Sequence, residues 1–520
     1  MMKIAACKWI AAVAVAVVPA LAAPPAKQAE STFRISGTVV NGVTGQALAK
    51  ARVTVAPDDR SSQPMEMTTG SDGRFLFEGL PAGSWTLHAE RRGFIGQAYG
   101  QRSILSSGSI SIVTGSDGGS ENIRFALNPP AAITGKVVDV DGEPVMNAFV
   151  ELLVPLSGLR KEYRVAKTVP TDDTGEYRIP DLPAGKYYLF VIVPAPTGDG
   201  GYTPQYYPNG ADANLAKSIA LKPGEEFSAD FSLLRTHGVS LQVEGFSGIP
   251  GGADSELLVL LASGPENSAV SISTLGSGLG RTFSHLVPGH YKLVVADLKG
   301  TTATTKWIDV GAEGGTVTLP FANPPDITAK VRMENGDASL LPSALLGFTA
   351  FGDPGQNYRP IPRDGAVTFP ALASGRYMIL LESKDLYIKS VTARNARVAD
   401  GMIDLPESGP VQLEVTVAGD VGRVKGKVHA GDKPVSGDQV VLAPSEESAG
   451  IADYHAYISD SDGTFDFRGV KPGGYVLFAT PDLDIEYGDR AALAKYLPSA
   501  KTISVEPKGT VELRIEPCGR

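Results

Sequence analysis

Gly175-Glu-Tyr177-Arg-Ile179-Pro-Asp-Leu182-Pro-Ala-Gly185-Lys-Tyr187-Tyr-Leu189-Phe-Val191 is the stretch that decides the fold. After Gly185, the residues Tyr187, Leu189 and Val191 recur at period two, which marks a strand with one face in a core and one in solvent. Tyr177 and Ile179 alternate in the same way ahead of it, and Thr174-Gly175 opens that earlier strand with hairpin-type turn residues. Pro183-Ala184-Gly185 supplies the tight turn between the two.

The phrase is one of five. An aromatic or Ile, then Leu or Val three residues on, then Gly, then an aromatic, gives Phe77-Leu80-Gly83-Trp85 and Ile179-Leu182-Gly185-Tyr187. It returns as Phe283-Leu286-Gly289-Tyr291, Phe369-Leu372-Gly375-Tyr377 and Phe467-Val470-Gly473-Tyr475. Copies lie about 85 to 105 residues apart, the size of one small sandwich domain. Asp72-Gly73, Asp364-Gly365 and Asp462-Gly463 open the hairpin strand in other copies. The third has Leu279-Gly280 shifted by one, so it is expected to be the most divergent.

An opening strand also repeats, as Ile35-Ser-Gly-Thr-Val-Val40, Ile133-Thr-Gly-Lys-Val-Val138, Ile327-Thr-Ala-Lys-Val331 and Val424-Lys-Gly-Lys-Val428. Each copy ends on a further alternating run, such as 121–127, 226–234, 316–321, 411–417 and 511–516. Many short strands at this spacing predict an all-β tandem array of five antiparallel β-sandwiches. The boundaries read 31–128, 129–235, 236–323, 324–419 and 420–518, with the third and fourth divergent. Asn128-Pro129-Pro130 and Asn323-Pro324-Pro325 sit at two junctions, and paired prolines hold a chain extended, so the linkers predict a semi-rigid rod.

Residues 1–23 read as a signal peptide: Lys3 and Lys8, an apolar run from Ile10 to Val18, then an A-x-A site ending at Ala22. That run is too short to span a bilayer, and no other segment reaches the roughly 20 apolar residues required. The expected location is therefore exported: periplasmic, cell-surface or extracellular. The chain stops close to its last strand without an L-P-x-T-G motif, so any anchoring is expected to be non-covalent or through a partner. Of 520 residues, 47 are basic and 57 acidic, a formal charge of −10, which argues against nucleic acid as partner. With Cys7 removed, Cys518 is alone, which excludes an intramolecular disulfide and leaves either a free thiol or a link between chains.

The opening I-x-G-x-V, the turn D-G-x-F/Y-x-F/I and the phrase L-P-A-G-x-Y-x-L resemble carboxypeptidase regulatory-like domains. These are relatives of the Cna-B and transthyretin-like sandwiches, with a carbohydrate-binding-like fold, in bacterial exported proteins. The resemblance is good over 32–128, 130–235 and 420–518 and weaker between. It implies immunoglobulin-like or prealbumin-like sandwiches serving as surface stalk, adhesion module or carbohydrate-binding module, and no peptidase. Some Cna-B relatives carry a Lys–Asn cross-link, but Lys136 and Lys427 sit out of phase with Ile133, Val137 and Val424 and are expected to face solvent.

A search for chemistry returns little. The six histidines fall in different modules with no H-E-x-x-H, and no G-x-S-x-G elbow or phosphate-cradling loop is found, so an enzyme, a metal and a cofactor are not expected. Asp139-Val-Asp141-Gly142 and Asp460-Ser-Asp462-Gly463 are either turns or calcium-ligating runs. Trp85, Tyr187, Tyr291, Tyr377 and Tyr475, with Gly83, Gly185, Gly289, Gly375 and Gly473, are read as the structural repeat core. The suggestive surface feature is aromatic: Tyr202, Tyr206 and Tyr207 in an insert of the second module, Tyr487 and Tyr496 in the fifth, and Tyr99 in the first. Exposed tyrosines can stack on sugar rings, which gives carbohydrate binding; otherwise they cover the sandwich edge. The function expected is a non-enzymatic structural or binding protein of the cell envelope. Polysaccharide or another envelope protein is the expected partner, and an accessory subunit of a secreted enzyme is the alternative of another class.

Overall fold

The structure, a computed structural model, describes residues 32–518 apart from short stretches at 102–108, 116–119, 156–162, 194–199, 211–214, 246–256, 263–268, 276–279, 298–301, 319–325, 335–336, 351–355, 370–371, 373, 407–408, 447–448 and 484. The signal peptide expected at 1–23, Leu279 and the linker Asn323-Pro324-Pro325 lie outside the described residues.

The first unit consists of β1 (Phe33–Asn41), β2 (Arg52–Pro57), β3 (Met65–Thr68), β4 (Arg74–Leu80), β5 (Gly83–Glu90), β6 (Gln97–Ala98), β7 (Ile112–Thr114) and β8 (Ile123–Leu127). One sheet has the order β4-β1-β8; the other has β3-β2-β5-β6, with β7 also on β5. Their apolar faces close on each other around Ile35, Val53, Phe75, Trp85, Leu87 and Phe125.

The arrangement returns four times. Ala131–Asp139, Val239–Glu244, Ile327–Met333 and Gly422–Ala430 each lie between an antiparallel strand, the one that precedes the repeated turn, and a closing strand; the turns on either side of that antiparallel strand link the two sheets and close no hairpin. The register repeats as well: Ile35 is opposite Phe77, Ile133 opposite Ile179, Leu241 opposite Phe283, Ile327 opposite Phe369 and Val424 opposite Phe467. The all-β tandem sandwich architecture is therefore present. One feature differs from a purely antiparallel sandwich: every closing strand runs parallel to its opening strand. Alternation reports which face is buried but not which way a strand runs, so the direction was not legible.

The glycine of the opening strand has a steric cause. A Cβ on Gly37 would stand 2.2 Å from the Ile123 carbonyl oxygen and 2.7 Å from the Phe75 ring. On Gly135 it would stand 1.9 Å from Ala229 O and 2.9 Å from the Tyr177 ring, and on Gly426 it would meet Leu513 O and the Phe465 ring. The ring on the neighbouring antiparallel strand thus takes the space a side chain needs. Where that cross-strand residue is Val367 instead of an aromatic, the opening strand carries Ala329. In these four units a smaller partner across the pair goes with a larger residue on the opening strand, whereas the third unit pairs Val243 with Arg281.

The repeated aromatic of the phrase is buried in all five units: Trp85, Tyr187, Tyr291, Tyr377 and Tyr475 are at most 8% exposed. Its polar handle ties down the turn that precedes it. The Tyr187 hydroxyl donates to Pro183 O at 2.8 Å, Tyr291 to Val287 O at 2.5 Å and Tyr475 to Lys471 O at 2.7 Å, each four residues back. Burial pushes the Tyr187 and Tyr291 hydroxyls up to about 12. The indole of Trp85 has no hydroxyl, and Thr114 replaces it: Trp85 Nε1 donates to Thr114 Oγ1 at 3.0 Å, and Thr114 Oγ1 donates to Pro81 O at 2.7 Å. Pro81 is again the residue four back. One turn carbonyl is satisfied in each of these four units, by one hydroxyl or by a two-step relay.

The second and fifth units bury both faces of their second sheet. Leu152, Leu153 and Val154 are consecutive and buried, as are Val440, Val441, Leu442 and Ala443. The outward residues do not meet water. Leu153, Tyr163, Phe190 and Ile192 join one apolar cluster with Leu241, Phe283, Tyr291 and Val295 of the third unit. The linkers predict a rod, and the structure departs from it. Ser461 of the fifth unit donates its N–H to Ser111 O of the first at 3.0 Å, and Val113 N–H donates to Ser461 Oγ at 3.0 Å. The brief proline linkers fix spacing but leave direction free, so sheet faces and edges that remain apolar or unpaired decide which units meet.

Candidate functional site

The tyrosine inserts follow the repeated aromatic strand. In the second unit Gly200–Tyr202 pairs with Arg235–His237, and Gln205–Tyr206 extends the second sheet beyond Phe190. Tyr206 is 8% exposed, with ring centroids 4.8 Å from Phe190 and 6.3 Å from Tyr163. It belongs to the cluster shared with the third unit. Tyr207 presents its edge to Phe231 at 5.8 Å and to Phe227 at 6.5 Å, and its bond to Pro208 is cis. The Arg235 guanidinium lies 5.7 Å over the Tyr202 ring, a cation–π arrangement.

In the fifth unit the chain makes a short helix, Arg490–Leu493, because the Asp489 carboxylate accepts from Ala491 N–H at its start. That helix and the following turn lay Tyr496 flat on Phe478, centroids 4.9 Å apart and planes within 7°. The Lys495 ammonium lies 4.7 Å from the Tyr496 centroid, and its hydroxyl donates to Asp482 Oδ2 at 2.8 Å. Tyr487 packs against the same cluster of Val441, Phe478 and Leu493, and burial raises its hydroxyl pKa. Tyr99 meets Phe125 edge-on at 5.5 Å in the first unit.

Carbohydrate stacking needs a bare ring face in the free protein, which Tyr206 and Tyr496 do not offer. Tyr206 and Tyr496 are buried, while Tyr99, Tyr202, Tyr207 and Tyr487 are half-buried against their own chain. For Tyr206 and Tyr496 the physical cause is the second-sheet surface beneath them, where Phe190 and Phe478 face outward and must be covered. Sequence reasoning did not give weight to Tyr163, Phe190 and Phe478. Their signal was present: apolar runs such as Tyr187 to Ile192 that do not alternate.

A cleft of about 570 Å³ opens where the first, second and fifth units meet. Ile95, Gln97 and Asn128 line it from the first unit, Asp181 and Lys186 from the second, and Asp482 and Leu483 from the fifth. Its amides are partly engaged, Gln97 Nε2 donating to Ala126 O at 3.2 Å. The D-x-D-G runs are turns held by their own carboxylates. Asp139 Oδ1 accepts from the N–H groups of Asp141 and Glu143, each at 3.0 Å, and Asp462 Oδ1 accepts from Thr464 N–H at 3.1 Å. Among the described residues, His, Cys, Asp and Glu do not gather in threes with metal-holding geometry. Lys136 is exposed, and Lys427 lies 3.6 Å from the Asp462 carboxylate. Cys518 is a free, half-buried thiol whose pKa burial raises.

The carboxypeptidase regulatory-like domain family matches this chain at residues 34–128 and 132–234. Serine-aspartate repeat-containing protein D of Staphylococcus aureus is 25% identical over 309 residues, which cover 55% of this chain and 22% of that protein. The chain therefore spans about a fifth of the length of that relative. Similar solved structures include the minor pilin of Streptococcus agalactiae, 14% identical, covering 39% of this chain and 96% of that one with a TM-score of 0.22. Two B repeat units of the collagen binding protein of Staphylococcus aureus are 12% identical, covering 74% of this chain and 100% of theirs with a TM-score of 0.14. The first two sandwich units are thus similar to carboxypeptidase regulatory-like domains.

Proposed function

We propose that the chain is an exported, non-enzymatic structural protein of the cell envelope, whose sandwich units form a cross-packed scaffold or adhesion array. The observation that carries this reading is where its aromatic side chains go. Phe190, Tyr206, Phe478 and Tyr496 join sheets to inserts and one unit to the next, in place of lining a site for a small ligand. The match to carboxypeptidase regulatory-like domains and the likeness to a repeat-containing protein support the same class. Other envelope proteins, meeting sheet edges and faces, suit it better as partners than polysaccharide does.

Antibody labelling of intact cells and fractionation of the producing host test the location, and a glycan array with the mature chain tests the partner class. The reading expects the chain outside the cytoplasm and background signal on the array. Retention of the mature chain in the cytoplasm overturns export, and saturable binding to one glycan class overturns the scaffold reading.

A further inference from the structure

The docking of the fifth unit on the first brings three carboxylates to one place. Asp460 and Asp462, 7% and 4% exposed, flank Ser461 in the turn that bonds to the edge of β7. Asp58 of the first unit stands opposite, its carboxylate accepting from the Thr86 and Ser111 hydroxyls at 2.7 Å each. Asp460 accepts from the Tyr457 hydroxyl at 3.0 Å and from the Thr464 hydroxyl at 3.4 Å. The nearby cation, Lys427, is placed on Asp462 at 3.6 Å.

The chain contains its own control. The same turn occurs in the second unit as Thr171-Asp172-Asp173-Thr174-Gly175, with Asp172 in the position of Asp460. Both residues donate N–H to the residue four on, Asp172 to Glu176 O at 2.9 Å and Asp460 to Thr464 O at 2.8 Å. Asp172 is exposed, and hydrogen bonds from Thr174 and Glu176 hold its carboxyl below the usual range. Asp460 differs in lying next to Ser461, whose hydrogen bonds join the turn to the first unit, with Asp58 of that unit acting on it. Its burial, with Asp462 and Asp58 nearby, pushes it from 3.8 up to about 7, against the opposing hydrogen bonds from Tyr457 and Thr464. The turn alone therefore favours an ionised aspartate, and the interface disfavours it.

We propose that the junction between the first and fifth units is a proton-coupled clasp, in which Asp460 takes up a proton as Ser461 docks on β7 and releases it as the units part. The direction follows from linkage. A carboxyl held more weakly acidic in the docked state gives docking its full strength below the undocked value, and loses it as pH rises through about 7. The array closes in acid and opens above neutrality. Between those limits the ratio of docked to parted chains changes by up to about tenfold per pH unit, so about 15-fold between pH 5.5 and 7 and about 30-fold between pH 5.5 and 8.5.

The experiment uses the full mature chain at about pH 5.5 and 8.5. Small-angle scattering gives its radius of gyration, and hydrogen exchange of the segment 110–115 reads the Val113 amide that bonds to Ser461. Asp460→Asn, which cannot ionise, is the matched control at each pH. The wild type is expected to have its smaller radius and its greater protection at pH 5.5. At pH 8.5 it is expected to have a larger radius and about 30-fold less protection than at pH 5.5, whereas the control stays closed and unchanged between the two values. Asp58→Asn is expected to reduce the pH response without abolishing it. A wild type whose radius and protection are the same at both values overturns the clasp. So does an Asp460→Asn chain that opens at pH 8.5 as the wild type does.

Discussion

Thr114→Val isolates one element of the repeated phrase. Valine keeps the volume of threonine, so no cavity opens, but the hydroxyl that relays Trp85 Nε1 to Pro81 O is gone. Pro81 is exposed and its carbonyl can take water; the indole N–H belongs to a side chain only 4% exposed and is left unpaired. A buried unsatisfied donor costs about 1–3 kcal/mol. At a urea slope near 1.5 kcal/mol/M for a unit of this size, the midpoint falls by about 1–2 M. Tryptophan emission reports it directly, because Trp85 and Trp307 are the tryptophans beyond residue 23 and Trp307→Phe in a chain starting there removes the second signal. Adding Trp85→Tyr to Thr114→Val restores a hydroxyl that reaches the turn carbonyl itself, as in three other units, and is expected to recover most of the loss. A midpoint shift below about 0.3 M for Thr114→Val would show that the indole is hydrated and that the relay does not anchor the turn.

The opening-strand glycine gives a second test: Gly135→Ala forces Ala229 O or the Tyr177 ring to move and is expected to cost about 2–4 kcal/mol, whereas Ala329→Gly costs about 1 kcal/mol. Equal costs at the two positions, read by denaturant unfolding, would refute the paired-size argument. Replacing Tyr202, Tyr206 and Tyr207 together by alanine is expected to lower the thermal midpoint by several degrees and loosen the second unit from the third, since Tyr206 sits in their shared cluster. A triple variant that melts like the wild type and loses polysaccharide retention would restore the sugar-stacking reading.

The sandwich class was legible because period-two alternation, Asp-Gly openers and Pro-x-Gly turns are local, and each copy repeats them. The opening-strand and phrase residues pair in the same register in all five units, as at Ile35–Phe77 and Val424–Phe467. The parallel closing strand was not legible, because alternation carries no strand direction. The burial of two insert tyrosines was not legible for a related reason. Tyr206 and Tyr496 look exposed when each unit is treated alone, and their burial depends on Phe190 and Phe478, outward residues of an adjacent strand. The same limit applies to the meeting of Ser461 with Ser111, 350 residues apart in the chain, which turn chemistry at either position does not announce.

The central claim, five sandwich units of one design in series, is tested most directly by stretching a single mature chain. Four units have cores of their own and the third buries its core together with the outer sheet face of the second, and about 95 residues extended at roughly 3.3–3.6 Å each release about 300 Å. The account predicts five unfolding events with contour-length increments of about 300 Å, and a sixth, shorter release before them as the clasp between the first and fifth units parts. One cooperative event spanning the whole chain, or increments that do not match the spacing of Trp85, Tyr187, Tyr291, Tyr377 and Tyr475, would contradict it.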